Sequence, residues 1–248
     1  MNKGAVYPKV KLVISPARDA EIGVNFLKFR RLGRSRTLRR KFYPTEILPV
    51  VMERISAKKR DRLIKAYARR IHKERSREIK RGVAQARTHW ASVEKRYFRL
   101  VDRIFKKHPW PKGRYKGFAS VFWMFPRDVS EKTFFFPYAH KLPCYANKII
   151  AHELLHFMFF DYIGERYGLR KHSKIPGKPN DYVWKVSEAF NTAMEQWAPY
   201  RRLFRYGGRS YAEIEAMVKR MAAQWRRRQD VDLLLDQWFE GRMTKIKK

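Results

Sequence analysis

The segment that most restricts how this chain can fold is Ala151-His152-Glu153-Leu154-Leu155-His156, set inside the apolar run from Ile149 to Phe160. Ile149, Ile150, Leu154, Leu155, Phe157, Met158, Phe159 and Phe160 leave almost no polar face on a helix, so the pattern predicts a helix inside a core. Residues four apart share a helix face, which sets His152 beside His156 with Glu153 projecting next to them. Ionisable groups are costly to bury unless they are paired or ligate a metal. Two imidazoles at this spacing can share one ion, with Zn2+ the expected one.

The surroundings predict an α+β fold, mostly helical, with a small β-sheet preceding the motif helix. Tyr115 to Phe125 and Thr133 to Tyr138 are β-rich and aromatic, and the polar turn Arg127 to Lys132 between them predicts a hairpin. The motif helix is expected to begin near Pro143 and to stop at about Tyr167, before Gly168. A loop rich in Gly, Pro and Lys, Gly164 to Asp181, is long enough to let a second helix return antiparallel, and Trp184 to Asn191 supplies that helix with Glu188 on it. Pro199 ends it. A third helix is expected from Ser210, with Glu213 completing a capping box, and a fourth from Val231 to Phe239 before a basic tail.

His152-Glu153-Leu154-Leu155-His156 resembles the active-site helix of zincin metallopeptidases, in which two histidines hold zinc and the glutamate is general base for water. The resemblance covers mainly residues 115 to 197. It implies a zincin-like core and hydrolysis of peptide bonds, with a peptide or protein as substrate. Phe159 and Tyr162 stand where metzincins carry a glycine and a third ligand, so that branch is disfavoured. Glu188 is similar in placement to the third ligand of gluzincins, giving His152, His156 and Glu188 as the metal set and Glu153 as the catalytic residue. The acidic partner that gluzincins often carry shortly afterwards is replaced here by Asn191 and Thr192. His172 is the rival ligand, at a separation similar to that in SprT-like proteases, although Ser173 follows it where those proteins usually have glycine. Tyr138, His140 and Tyr182 are the candidates for steadying an oxyanion, and nothing in the sequence selects among them.

Upstream of this domain, assigned to residues 111–248, lies a basic region of residues 1–110. The turn-forming run His108 to Gly113 marks the boundary. Val6 to Ser15 and Ile22 to Phe29 are read as strands, Arg30 to Lys41 as a solvated basic arm, Ile47 to Ile55 as a short helix, and Leu63 to Phe105 as a longer helical pattern with Gly82 its interior breaker. The Trp90 to Phe105 portion is amphipathic and is expected to pack on the motif-bearing domain.

The formal charge is +35, and its distribution matters more than its size. Residues 1–107 hold 32 basic and 9 acidic side chains, most of the excess. Such a region can bind nucleic acid through counterion release, or can simply be solvated. A SprT-like protease associated with DNA, or a non-enzymatic nucleic-acid-binding protein with a metal-stabilised core, are therefore the alternative readings. No uninterrupted apolar run reaches the roughly 18 residues of a membrane span. One cysteine, Cys144, excludes an internal disulfide and, with no apolar leader at the start, leads to an expectation of a cytoplasmic setting.

Overall fold

Helix and strand signals compete most closely at the beginning of the chain, and there the helix wins. In the computed structural model, which describes residues 7–28, 35–142, 144–205, 207–208 and 210–239, Pro16–Lys28 is a helix (α1) rather than the strand expected from Ile22, Val24 and Phe26. The alternation of β-branched and aromatic residues is overridden by a helical stripe. Asp19, Ala20, Gly23 and Val24 are the buried side, with the period of a helix and not of a strand. Ser15 opens the helix, its Oγ accepting from the Arg18 N–H and its carbonyl from Asp19, and Pro16 fits the first turn.

The chain divides into two compact units, each assembled from separate stretches. A sheet unit comprises Lys9–Trp90 and Arg114–Ile150, and a motif unit comprises Met1–Pro8, Ala91–Gly113 and Ala151–Lys248. The turn at His108 to Gly113 ends where the chain passes between units, and two other crossings fall inside helices.

The sheet unit holds four short strands: β1 (Val10–Val13), β2 (Tyr115–Ser120), β3 (Arg127–Asp128) and β4 (Thr133–Pro137), in the order β1-β2-β4-β3. The expected hairpin does not form. β2 and β4 run parallel, with Lys116 opposite Thr133 and Phe118 opposite Phe135, and only β3 is antiparallel to β4. The connection, residues 121–132, is of about the dozen-residue length that a parallel crossover needs. Successive residues Phe134, Phe135 and Phe136 are all buried, so both faces of β4 are covered, which is the setting in which parallel pairing occurs.

Around the sheet lie α2 (Arg36–Phe42), α3 (Leu48–Met52), α4 (Ala57–Glu74) and the first part of α5 (Ser76–Ile104). Phe29, the end of the expected strand, and residues 30–34 of the expected basic arm lie outside the described residues. The remainder of the arm is not extended but forms α2, capped by the Ser35 Oγ accepting from Leu38 N–H at 3.2 Å, with no side chain buried. The long helical pattern breaks at Arg75 and not at Gly82, which sits within α5. Gly82 serves close approach instead: a Cβ there would lie 1.9 Å from the Tyr138 carbonyl oxygen.

A buried carboxylate ties this unit together. Asp19, fully buried, accepts from the Ser120 hydroxyl (2.6 Å) and the Val121 N–H (2.8 Å), and lies 2.8 Å from His72 Nε2. Here the carboxylate stands between serine and imidazole, so the imidazole does not reach the serine, and the buried trio ties α1 to α4 and to the end of β2. Removing one partner of a buried charged cluster costs about 3–5 kcal/mol. Asp19→Ala is accordingly expected to lower the stability of the chain by an amount of that order, measured by urea unfolding followed by circular dichroism.

The motif unit contains the rest of α5, most of α6 (Tyr145–Tyr167), α7 (Tyr182–Gln196), α8 (Ala198–Phe204), α9 (Glu215–Arg227) and α10 (Val231–Phe239). α6 stops before Gly168, at φ +66°, as expected, while Pro143 lies outside the described residues. The third C-terminal helix departs from expectation. A 3-10 turn, Ala212–Ile214, precedes α9, and no side chain caps it, so the Ser210/Glu213 box is not made. Burial of Ile214, Val218, Met221 and Trp225 sets its phase instead. Within this unit α5, α6 and α7 share an aromatic core. Phe105 packs on Tyr162 and Phe190, Phe190 on Phe159, and the Tyr97 hydroxyl donates to the Ala151 carbonyl at 2.8 Å. The amphipathic end of α5 thus packs against the motif helix. Among the described residues no helix is long and apolar enough to cross a membrane.

Candidate metal centre

α6 is buried all round, as its sequence demands: Ile150, Leu154, Leu155, Phe157, Met158 and Phe159 are at 1% exposure or less. The polar exceptions are the motif residues. His156 is fully buried, Glu153 nearly so, and the His152 side chain is 18% exposed, the most open of the three. From α7, Glu188 reaches the same place. Ligand atoms of His152, His156 and Glu188 all lie within 4.8 Å of one another, the one such group among the described residues.

The separations inside the group carry chemical information. His152 Nε2 and His156 Nε2 are 3.1 Å apart, His156 Nε2 and Glu188 Oε1 3.4 Å, and His152 Nε2 and Glu188 Oε2 3.6 Å. Direct N–H···O bonds to a carboxylate are shorter, at about 2.7–2.9 Å. Zinc binds nitrogen and oxygen at about 2.0–2.1 Å with tetrahedral angles, so ligand atoms around it stand roughly 3.4 Å apart. The two imidazole nitrogens stand near that edge length from each other, and each lies near it from a different oxygen of the Glu188 carboxylate. Two neutral-nitrogen donors and one carboxylate leave a fourth position for water or substrate, so the donor set fits zinc.

α7 turns a polar stripe toward these imidazoles. Glu188, Asn191 and Glu195, at i, i+3 and i+7, are all buried, among Val186, Ala189, Phe190, Ala193 and Met194. Asn191 Nδ2 donates to the His152 carbonyl at 2.8 Å, and Glu195 Oε1 lies 2.6 Å from His152 Nδ1. The carboxylate fixes the tautomer that leaves Nε2 free for a metal, the usual arrangement behind a ligating histidine. Asn191 and Thr192 stand shortly after Glu188, and an acidic partner for His152 comes instead two turns after Glu188, at Glu195; the i, i+3, i+7 run of polar residues in an apolar helix is the signal that could have found it. Gly208 leaves room for this carboxylate, since a Cβ there would run into Glu195 Oε2.

The other sequence candidates fall elsewhere. His172 is exposed on a turn and is not one of the clustered ligands. Tyr182 donates its hydroxyl to the Trp238 carbonyl at 3.0 Å. Tyr138 and His140 belong to the sheet unit, where they line two cavities of about 340 Å³ each. One tyrosine not anticipated from the sequence stands in the field of the motif. Tyr200 is fully buried, its hydroxyl has no hydrogen-bond partner among the described residues, and burial, then Glu195, Tyr97 and Glu153, raise its pKa well above the ordinary value. It therefore stays a neutral phenol.

Without a metal, burial alone would lower the His152 pKa, but Glu195, Glu188 and Glu153 outweigh it and push it up to about 10. The raised value stabilises the metal-free fold fully below the ordinary 6.5, and that contribution is lost as pH rises through about 10. A metal must displace this proton. Zinc affinity is expected to rise about tenfold per pH unit between pH 6.5 and 8, one proton being released per ion, as measured by competition with a chromophoric chelator. Compared with models of known protein families, with curated proteins and with solved structures, the chain matches none.

Proposed function

We propose that this chain is a zinc-dependent metallopeptidase with a zincin-like core and a gluzincin-like ligand set. The observation that carries the reading is the meeting of His152, His156 and Glu188, with ligand atoms all within 4.8 Å of one another and the buried Glu153 next in sequence to the first of them. His152, His156 and Glu188 would hold the ion. When bound, the ion supplies Lewis acidity, polarising a peptide carbonyl and lowering the pKa of water.

The remaining chemistry belongs to the chain. Glu153 takes the proton from the attacking water and passes it to the leaving amine, as a general base and then a general acid. Glu195 holds His152 in the ligating tautomer, and Asn191 pins the backbone of the same residue. The substrate is a peptide or an unfolded protein segment.

The test is cleavage of a fluorescently labelled unfolded protein by the purified chain, before and after chelation and after zinc is restored. Cleavage lost on chelation and recovered with zinc supports the reading. Tight zinc binding with no cleavage would sink the peptidase reading and leave the ion as a stabiliser of the core.

A further inference from the structure

A second surface lies in the sheet unit and is independent of the metal centre. The stretches composing that unit carry 31 basic and 9 acidic side chains, against 27 and 14 in the other. On α4 the excess is ordered. Lys58, Arg62, Lys65, Arg69 and Lys73 follow one another at intervals of four, three, four and four residues, the spacing of one helix face. The opposite face, Ile64, Tyr67, Ala68 and Ile71, is buried.

Lys58, Arg62, Arg69 and Lys73 are exposed and Lys65 half-buried, and none of the five makes an ion pair or hydrogen bond among the described residues. The nearby acidic groups do not neutralise the row. Glu74 is held by Arg70 at 3.0 Å, Asp61 is half-buried on its flank, and Glu46 faces Arg75. At a rise of about 1.5 Å per residue the row is about 22 Å long. Along one strand of duplex DNA, with a phosphate about every 3.4 Å, that length covers roughly six phosphates.

We infer that the outer face of α4 is a binding surface for the sugar–phosphate backbone of nucleic acid. A membrane-surface helix turns its apolar face to lipid, but here that face is in the core, so an anionic bilayer could meet only the charges. A nucleic-acid backbone needs nothing more than charges. The row carries no aromatic side chain on which a base could stack, so recognition is by phosphate contacts and independent of sequence.

The test uses the full chain and a fluorescein-labelled 20-base-pair duplex, with anisotropy followed between 50 and 300 mM salt. Each phosphate contact adds about 0.9 to the slope of log affinity against log salt. The triple variant Arg62→Gln, Arg69→Gln, Lys73→Gln is expected to reduce that slope by about 2.7 and to weaken binding at least about tenfold at 0.1 M salt. Glutamine has nearly the helix propensity of the residues it replaces, so α4 is retained. The control Arg201→Gln, Arg202→Gln, Arg227→Gln removes the same charge from exposed positions of the motif unit and is expected to bind nearly as wild type.

Equal losses in the two triples would overturn the inference in favour of diffuse charge. So would a wild type that binds phosphatidylserine vesicles but not the duplex. A measurement on the unsubstituted chain guards against misfolding: acetylation of Lys58, Lys65 and Lys73, read by mass spectrometry, is slowed by the duplex if α4 is the surface. Unchanged acetylation of all three would likewise overturn it.

Discussion

If the proposed peptidase reading holds, Glu153→Gln is expected to lower the rate of peptide hydrolysis by about three orders of magnitude, within the 10²–10⁴ range of a positioned general base and equivalent to about 4 kcal/mol of barrier. The substitution keeps the shape of a side chain that is almost fully buried, replaces one acceptor oxygen by an NH2 donor, and removes the charge and the ability to accept a proton. Glu153 is not among the three clustered ligands, so the variant retains its zinc, about one ion per chain by elemental analysis. Rate and metal content are needed together. A fall in rate with zinc retained assigns the proton transfer to Glu153, whereas full activity with zinc retained removes Glu153 from the chemistry. Loss of zinc would mean that the carboxylate supports the ligands and not the water.

Zinc added to the metal-free chain is expected to raise its melting temperature, and Glu188→Ala to abolish the rise. An ion that binds the folded state alone stabilises it by about 4 kcal/mol when its free concentration is 1,000 times its Kd. At about 2–4 °C per kcal/mol for a chain of this size, the shift is roughly 8–16 °C in differential scanning fluorimetry. Glu188→Ala leaves two imidazoles and no carboxylate in the group, and so leaves the ion with too few ligands to compete with water. His172→Ala is the contrasting variant. Its side chain is exposed and outside the group, so its zinc response equals that of wild type. The opposite result, a response lost in His172→Ala and kept in Glu188→Ala, would replace the proposed ligand set with three histidines.

The two outcomes depend on features with different legibility. His152 and His156 could be paired on paper because the helical period is a property of the backbone, and the apolar residues around them announced a buried helix. Glu188 could be nominated from its apolar neighbours and from a connecting loop of sufficient length. Glu195 could not be nominated by proximity in sequence, because it reaches His152 only through the rotation of α7 about its own axis. That rotation is set by contacts such as Phe190 with Phe105 and Phe159, which are distant in the chain.

The misreadings have the same origin. Ile22, Val24 and Phe26 alternate like a strand, but Ser15, Pro16 and the buried series Asp19, Ala20, Gly23 and Val24 form a helix once there is a sheet to bury it against. Tyr115–Ser120 and Thr133–Pro137 are recognisable as strands, yet their direction depends on the path of the chain between them, which local pattern does not encode. By itself the sequence determined the consequences of periodicity and charge: a buried helix with two imidazoles on one face, and a helical, strongly basic region before it. Only the tertiary structure decided the parallel sheet, the arrival of Glu188 beside the two imidazoles and the backing of His152 by Glu195. Those depend on how separately formed elements pack, and a helix carries no record in its own residues of the angle at which its neighbour will face it.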